Sequence, residues 1–290
     1  MMETVKLNKL PVPTFSHLGV NYAERRPIEG EARTIAIESG ITDISESSRC
    51  TVRAERGGRK SVTQYIGAGS DITVDTDIMI GDGACVTLVQ VFDSRAAVVS
   101  RLNAKIADNA QLDLVQLYIG GDTVSDNKAE LAGFRAGLKS DIAYTLSGSD
   151  KLDINFVAEH SGRKSVSAIN VGGVMNGSAD KVFKGTIDFK NGASGAKGTE
   201  SEDVLLIGED VRSRTVPVIL CSEEDVEGSH GATAGRIGDD KIFYMRSRGF
   251  SEEEITRLMS RAKLAHVINR SDEETKRRIY GALGWGDEDE

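Results

Sequence analysis

Two stretches, 26 residues apart, limit what this 290-residue chain can fold into more than any other feature. Ile80 to Val91 reads IGDGACVTLVQV and Ile106 to Leu117 reads IADNAQLDLVQL: a turn, a small residue, then apolar residues at every second position. Alternation of this kind marks a strand with one buried face. Repetition at a fixed period means that such faces are buried on neighbouring copies, which is the logic of a solenoid. GRKSV also occurs twice, at Gly58 to Val62 and Gly162 to Val166, and reads as a second echo.

From about Glu31 the same alternation recurs in ARTIAIES, SRCTVRAE, SDITVDTDIMIG, DKLDINFVAEH, SVSAINVGGVM and DKVFKGTIDF. Glycine is frequent (31) and proline scarce (4), as expected of short strands joined by tight turns. A β-sandwich would also alternate. The constant turn type at the 26-residue period favours a parallel β-helix. The first 30 residues hold three of the four prolines and no periodicity, so they are assigned to an arm with no chemistry. After Gly235 the period changes. Ser251 with Glu254 forms a capping box before Ile255, Leu258, Met259, Ala262 and Ala265, and Ser271 with Glu274 repeats it before Ile279, Ala282 and Leu283. The expected organisation is an arm at 1–30, a β-helix core at 31–235 and a small α-helical domain at 236–290.

A net charge of −9 with a GDEDE tail argues against nucleic acid as partner. No run approaches the ~18 apolar residues of a membrane span, and no signal peptide is visible, so a soluble cytoplasmic protein is expected. Cys50, Cys85 and Cys221 match no zinc or redox spacing. GASGAKGT at Gly192 to Thr199 has the composition of a phosphate loop at the wrong spacing, so it reads as a turn, and no ATP site is expected. No hydrolase or metalloprotease motif occurs. His17 and His160 read as structural or exposed, and His266 as a packing or surface residue.

His230 differs. Cys221, Glu223, Glu224, Asp225, Glu227 and His230 place thiol, carboxylate and imidazole within ten positions. These are the donor types that iron and iron–sulfur chemistry use. Strand alternation would put Cys221, Glu223, Asp225 and Glu227 on one face. The plainer reading of the same residues is a hydrated polar edge strand with His230 supporting a turn.

The wider context resembles a known family. LLIG at Leu205 to Gly208, VP at Val216 and Pro217, SHGAT at Ser229 to Thr233 and FYMRSRGFSEEE at Phe243 to Glu254 are similar, in order, to the C-terminal signature of the SufB/SufD scaffolds of the SUF iron–sulfur cluster assembly system. The resemblance implies a right-handed parallel β-helix and C-terminal helices that dock on a SufC-like ABC-type ATPase, which would supply the ATP site missing here. It also implies pairing with a second SufB/SufD-type subunit through the β-helix ends, with a transient iron–sulfur cluster forming between them. His230 matches the family's interface histidine, and SHG is closer to SufD than to SufB. Glu202 stands where SufB carries a cysteine, which puts thiolate ligation there in doubt. Cys221, Glu223 and Glu227 are candidate ligands on their chemistry alone.

The resemblance assigns ATPase docking to Phe243, Tyr244, Arg246, Arg248, Gly249, Phe250 and Glu254. It leaves open a homodimer of a reduced system, suggested by the compact chain with no long N-terminal region, or a heterodimer with a SufB-like paralogue. On this reading the chain is a non-catalytic scaffold. The competing expectations are a β-solenoid acyltransferase with His230 as general base, for which the hexapeptide rhythm is missing, and a metal-free partner-binding solenoid.

Overall fold

The structure, a computed structural model, describes residues 4–207 and 209–285. Gly208, which closes the LLIG motif, and the acidic tail at 286–290 lie outside the described residues, as do positions 1–3 of the arm.

Eighteen strands and three α-helices follow one another in the described residues: β1 Val5–Leu7, β2 Ala23–Arg25, β3 Arg33–Ala36, β4 Gly40–Ile44, β5 Ser48–Ala54, β6 Arg59–Ile66, β7 Ile72–Ile80, β8 Cys85–Phe92, β9 Ala97–Ile106, β10 Gln111–Ile119, β11 Asp122–Leu131, β12 Gly137–Leu146, β13 Lys151–His160, β14 Val166–Met175, β15 Asp180–Phe189, β16 Ala196–Leu206, β17 Arg212–Cys221, β18 Val226–Arg236, α1 Asp239–Ser247, α2 Glu252–Ile268 and α3 Glu273–Leu283. The odd strands β3 to β17 form one eight-stranded sheet and the even strands β4 to β18 another. Every ladder in these two sheets is parallel, which removes the sandwich and leaves the parallel β-helix.

The 26-residue echo is a true register repeat, with Cys85 opposite Gln111 and Val91 opposite Leu117. The GRKSV echo is not. Val62 leads along the ladders through Leu88, Leu114 and Ser140 to Ile169, three residues past Val166. Its second copy lies mostly in the turn before β14, so that resemblance is compositional.

Between the sheets runs one continuous apolar core, from Ile37 to Val204. It also holds an amide ladder that sequence reading missed. Gln90 donates to Gln64 at 2.6 Å and Gln116 to Gln90 at 2.8 Å, all three fully buried one coil apart. Misregistration by one residue would leave these amides unpaired in the interior, so the ladder helps to fix the register.

The outer faces are covered unequally. On the even sheet, Tyr65, Val89, Val91, Val115, Leu117, Ile119 and Ala143 pack against Leu264, Val267, Ile268, Ile279 and Trp285. Helices α2 and α3 thus lie on the flank of the β-helix and share a core with it. Arg270 pairs with Asp113 and Asp141, Lys263 with Asp203, and Arg278 with Asp43 at 2.5 Å, which straps them down. The helical spacing expected at Leu258 and Ala262 does not face this core. Ile255 and Leu264 are buried, Ala262 is exposed, and Leu258 is 47% exposed. The sheet sets the buried stripe, because α2 lies across strands and selects the residues that reach them.

The capping box at Ser251 and Glu254 is present, with both reciprocal bonds. The second cap falls one residue later than expected. Asp272 accepts from the Thr275 amide at 2.9 Å and from its hydroxyl at 2.8 Å.

Candidate functional site

The β-helix ends on a coil that nothing in the described residues covers. Strands β17 and β18 each have one partner, so the far edge of both is unpaired. Nearly all of β18 is exposed. From Ala196 to Val204 strand β16 alternates between buried and exposed residues, so Glu200 and Glu202 point into the interior. Register mates share a face, which places His230 above Glu200 and Ala232 above Glu202. On the opposite sheet Cys221 sits above Phe189, whose ring lies inside. His230 and Cys221 are therefore interior positions on the one coil with no coil above it.

The two do not converge within one chain. A methyl group added at Gly228 would meet Ile219 at 3.4 Å, so these residues face each other across the interior. Cys221 lies two residues past Ile219 toward the connecting turn, and His230 two residues past Gly228 away from it. At the strand rise that separates them by roughly 13 Å. No group of three or more His, Cys, Asp or Glu able to hold a metal exists among the described residues. A cluster held by both donors needs ligands from elsewhere.

The expected single face of Cys221, Glu223, Asp225 and Glu227 is not formed. Strand β17 stops at Cys221 and β18 starts at Val226, so 222–225 is a turn and the alternation is interrupted. The carboxylates tie this turn to the coil below. Glu223 accepts from the Gly192 amide at 3.0 Å, Asp225 from the Ser194 hydroxyl at 2.8 Å, and Glu227 pairs with Lys197 at 2.7 Å on the outer face. The first half of GASGAKGT, 192–195, is the turn they hold; its second half, 196–199, already belongs to β16, and because a strand and not a helix follows, no phosphate-binding helix N-terminus exists there. The Cys221 thiol lies 3.0 Å from the Glu223 carbonyl and is exposed.

One coil down, the interior is charged and closed. Glu202 is buried, bonded to Lys181 at 2.5 Å, to the Tyr144 hydroxyl at 3.2 Å and to the Thr215 hydroxyl. Burial pulls the Lys181 ammonium below its ordinary range, against the attraction of Glu202. Tyr144 reaches Glu202 across β14 because Gly173 lacks a side chain, and a methyl there would sit 2.0 Å from the Tyr144 ring. Among the described residues Glu200 has no cation. Burial, aided by the charge of Glu202, raises its carboxyl to about 8, and its Oε2 has no hydrogen-bond partner. Glu202 is thus fully engaged in the interior, and Glu200 was missed because a buried acid inside an alternating run looks like an exposed one. Their spacing of two, both on the apolar parity of β16, was the available signal.

The remaining histidines are structural in position. His160 is buried between the hydroxyls of Ser165 and Ser167, each at 2.8 Å, and desolvation lowers it to about 4. His266 lies on α2 with Nδ1 3.0 Å from the Lys263 carbonyl, and His17 is exposed in a short 3-10 turn.

The docking candidates cluster on α1 and its junction with α2. Phe243 is 76% and Tyr244 58% exposed, and Phe250 is exposed beside them. Tyr244, Arg248, Phe250 and Met259 line a groove of about 480 Å³ between the two helices. Arg248 stacks over the Tyr244 ring at 5.2 Å. Gly249 adopts a positive φ of 95° that turns the chain from α1 into α2. Arg246 is exposed on the last turn of α1, and Glu254 is committed to the α2 cap.

The SUF system FeS cluster assembly, SufBD core domain, matches residues 38–263, which span the coils and most of α2. The chain is 31% identical over 200 residues to the iron-sulfur cluster assembly protein SufD of Bacillus subtilis (strain 168), covering 67% of this chain and 45% of that protein. It is 34% identical over 104 residues to SufD of Escherichia coli (strain K12), covering 36% and 25% respectively. A SufBD family protein of Mycobacterium tuberculosis (strain ATCC 25618 / H37Rv) is 25% identical over 248 residues, covering 80% of this chain and 62% of the relative. The chain thus spans less than two thirds of each of these relatives.

Proposed function

The chain belongs to the SufBD core domain family and is SufD-like, and from that premise we propose that it is a scaffold on which an iron–sulfur cluster is assembled for delivery elsewhere. One observation carries the reading: Cys221 and His230 occupy interior positions on the last coil, above which the described residues place nothing. The cluster is cargo. Thiolate and imidazole suit its iron, and the Cys221 thiol is exposed where iron and sulfide can reach it. Because the two donors are too far apart in one chain, the cluster is shared with a second SufB/SufD-type subunit paired at the unpaired edges of β17 and β18. Across a twofold axis each donor occurs twice, so a donor of one subunit can meet a donor of the other.

Assembly is driven from the flank. An ABC-type ATPase of the SufC kind docks on α1 and the α1–α2 groove, where large aromatic side chains stand exposed beside arginines. Helix α2 continues from that groove onto the outer face of β10, β12 and β14, and Lys263 pairs with Asp203 on β16, directly below β18. Movement of the helix is thereby coupled to the coil under the cluster face.

The test is capture of the chain with its ATPase, then anaerobic reconstitution with iron and sulfide. Visible iron–sulfur absorbance is expected with the unaltered chain and its loss with Cys221→Ala or His230→Ala. Unchanged yield and spectrum in both variants would remove the ligand assignment. Phe243→Ser with Tyr244→Ser is expected to abolish ATPase capture and leave reconstitution intact.

A further inference from the structure

Two donor side chains stand one above the other at the open end of the β-helix, and neither is engaged by the described residues. Glu200 on β16 and His230 on β18 are register mates on the interior face, so their backbones lie about 4.8 Å apart. Glu200 is only 4% exposed, and its Oε2 has no hydrogen-bond partner. An unsatisfied carboxyl oxygen in the interior is uncommon and costly. His230 is exposed, and among the described residues its ring makes no hydrogen bond or ion pair.

The surroundings make room for the carboxyl without binding it. Gly185 of β15 faces it across the interior, and a methyl group there would sit 2.0 Å from Oε2. On the coil above, Pro217 stands over Gly185 and the imidazole over Glu200, and a proline side chain offers no donor. Glu202, on the same face two residues along, is already committed to Lys181, Tyr144 and Thr215. The carboxyl of Glu200 is therefore the acidic group left to work with His230. Imidazole and carboxylate, with open positions beside them, are donors that ferrous iron uses. At ladder spacing both side chains are long enough to reach one ion between their ends, and Glu200 has only to turn about its own torsions.

We propose that Glu200 and His230 together bind one ferrous ion within a single chain, before sulfide or a second subunit is engaged. The inference rests on His230 being a ligand, as proposed above, and adds its carboxylate partner and an order of events. Two protein donors leave the other positions of the ion to water on the solvent side of His230, where sulfide and a donor of the second subunit can later replace it. The step needs no pairing of edges, so it is independent of how the second subunit is seated. Cys221, roughly 13 Å from His230, takes no part in it.

The experiment is anaerobic equilibrium dialysis of the full chain alone against Fe2+, without sulfide or ATPase, for the unaltered protein, Glu200→Gln, His230→Ala and Glu227→Gln. The unaltered chain is expected to bind a single Fe2+, and Glu200→Gln and His230→Ala to bind it at least about tenfold more weakly. Glu227→Gln, which changes a carboxylate on the outer face of the same strand, should bind like the parent. Glutamine keeps the shape of glutamate, so Glu200→Gln is expected to melt no lower than the parent, and its weaker binding then reports a lost donor and not a lost fold. If Glu200→Gln binds Fe2+ as tightly as the parent while His230→Ala does not, the role of Glu200 is overturned and the scaffold reading stands. A chain that binds no Fe2+ alone yet supports reconstitution with its partners overturns the single-chain step and again spares the scaffold. Failure of the unaltered chain in both assays overturns both.

Discussion

The last two coils of the β-helix occupy the same columns and differ in what lies above them. In the lower one, Glu202 and Lys181 satisfy one another out of water, helped by the Tyr144 hydroxyl from two coils below and the Thr215 hydroxyl from the coil above, and among the described residues Glu200 is left without a cation. In the upper one, His230 and Cys221 stand on those interior columns in solvent. The side-chain direction is the same, and only the next coil is missing. A solenoid therefore converts core positions into an exposed face simply by stopping, and its last two strands leave long unpaired edges. At the other end, β3 and β4 are only 4 and 5 residues long, so less edge is left open there.

Removing a partner should separate the two coils most clearly. Lys181→Met strands the buried Glu202 carboxylate and is expected to cost about 3–5 kcal/mol in denaturant unfolding. Gly173→Ala, which drives a methyl into the Tyr144 ring, is expected to cost about 1–3 kcal/mol and to weaken the Tyr144 bond to Glu202.

Glu200 gives the lower coil a pH signature. Its carboxyl titrates at about 8 in the fold, against an ordinary value near ~4.3 when unfolded. Between these values the native state keeps a proton that the unfolded chain has lost. Stability contributed by the group is therefore present at low pH and falls as pH rises through this window, by about 1.4 kcal/mol per unit at most. Glu200→Gln should flatten that slope in melts from pH 5 to 8 and leave the protein more stable than the parent above pH 8. The smallest effect belongs to the upper coil. His230→Ala and Gly231→Ala, the latter with nothing within 4 Å of the new methyl, are expected to change monomer stability by less than about 0.5 kcal/mol. A large loss in either would mean that the last coil is part of the folded core rather than a face.

Much of this was legible because a parallel ladder stacks identical positions. The shared VQ of β8 and β10 announced the period, and the glutamine in it was the unread signal of the amide ladder that Gln64 joins one coil below. The capping box of α2 was legible because a cap is settled within four residues. The α2 face was not, since several apolar stripes are available to a helix and the sheet beneath chooses among them. The GRKSV echo misled because coil length is not constant: the ladder from Val62 takes three steps of 26 residues and one of 29, so the match falls three residues out of register. Glu223 and Glu227 looked like ligands beside Cys221 because sequence cannot say where a strand stops, and the turn at 222–225 sends them to Gly192 and Lys197.

By itself the sequence determined the repeating strand, its parallel stacking and the helical close, and it supplied Cys221 and His230 as candidate donors, because each depends on local period or residue chemistry. Tertiary structure decided which acids are buried and that the two donors stand apart. Those properties depend on what lies one coil above or across the interior, and chain neighbours carry no record of it.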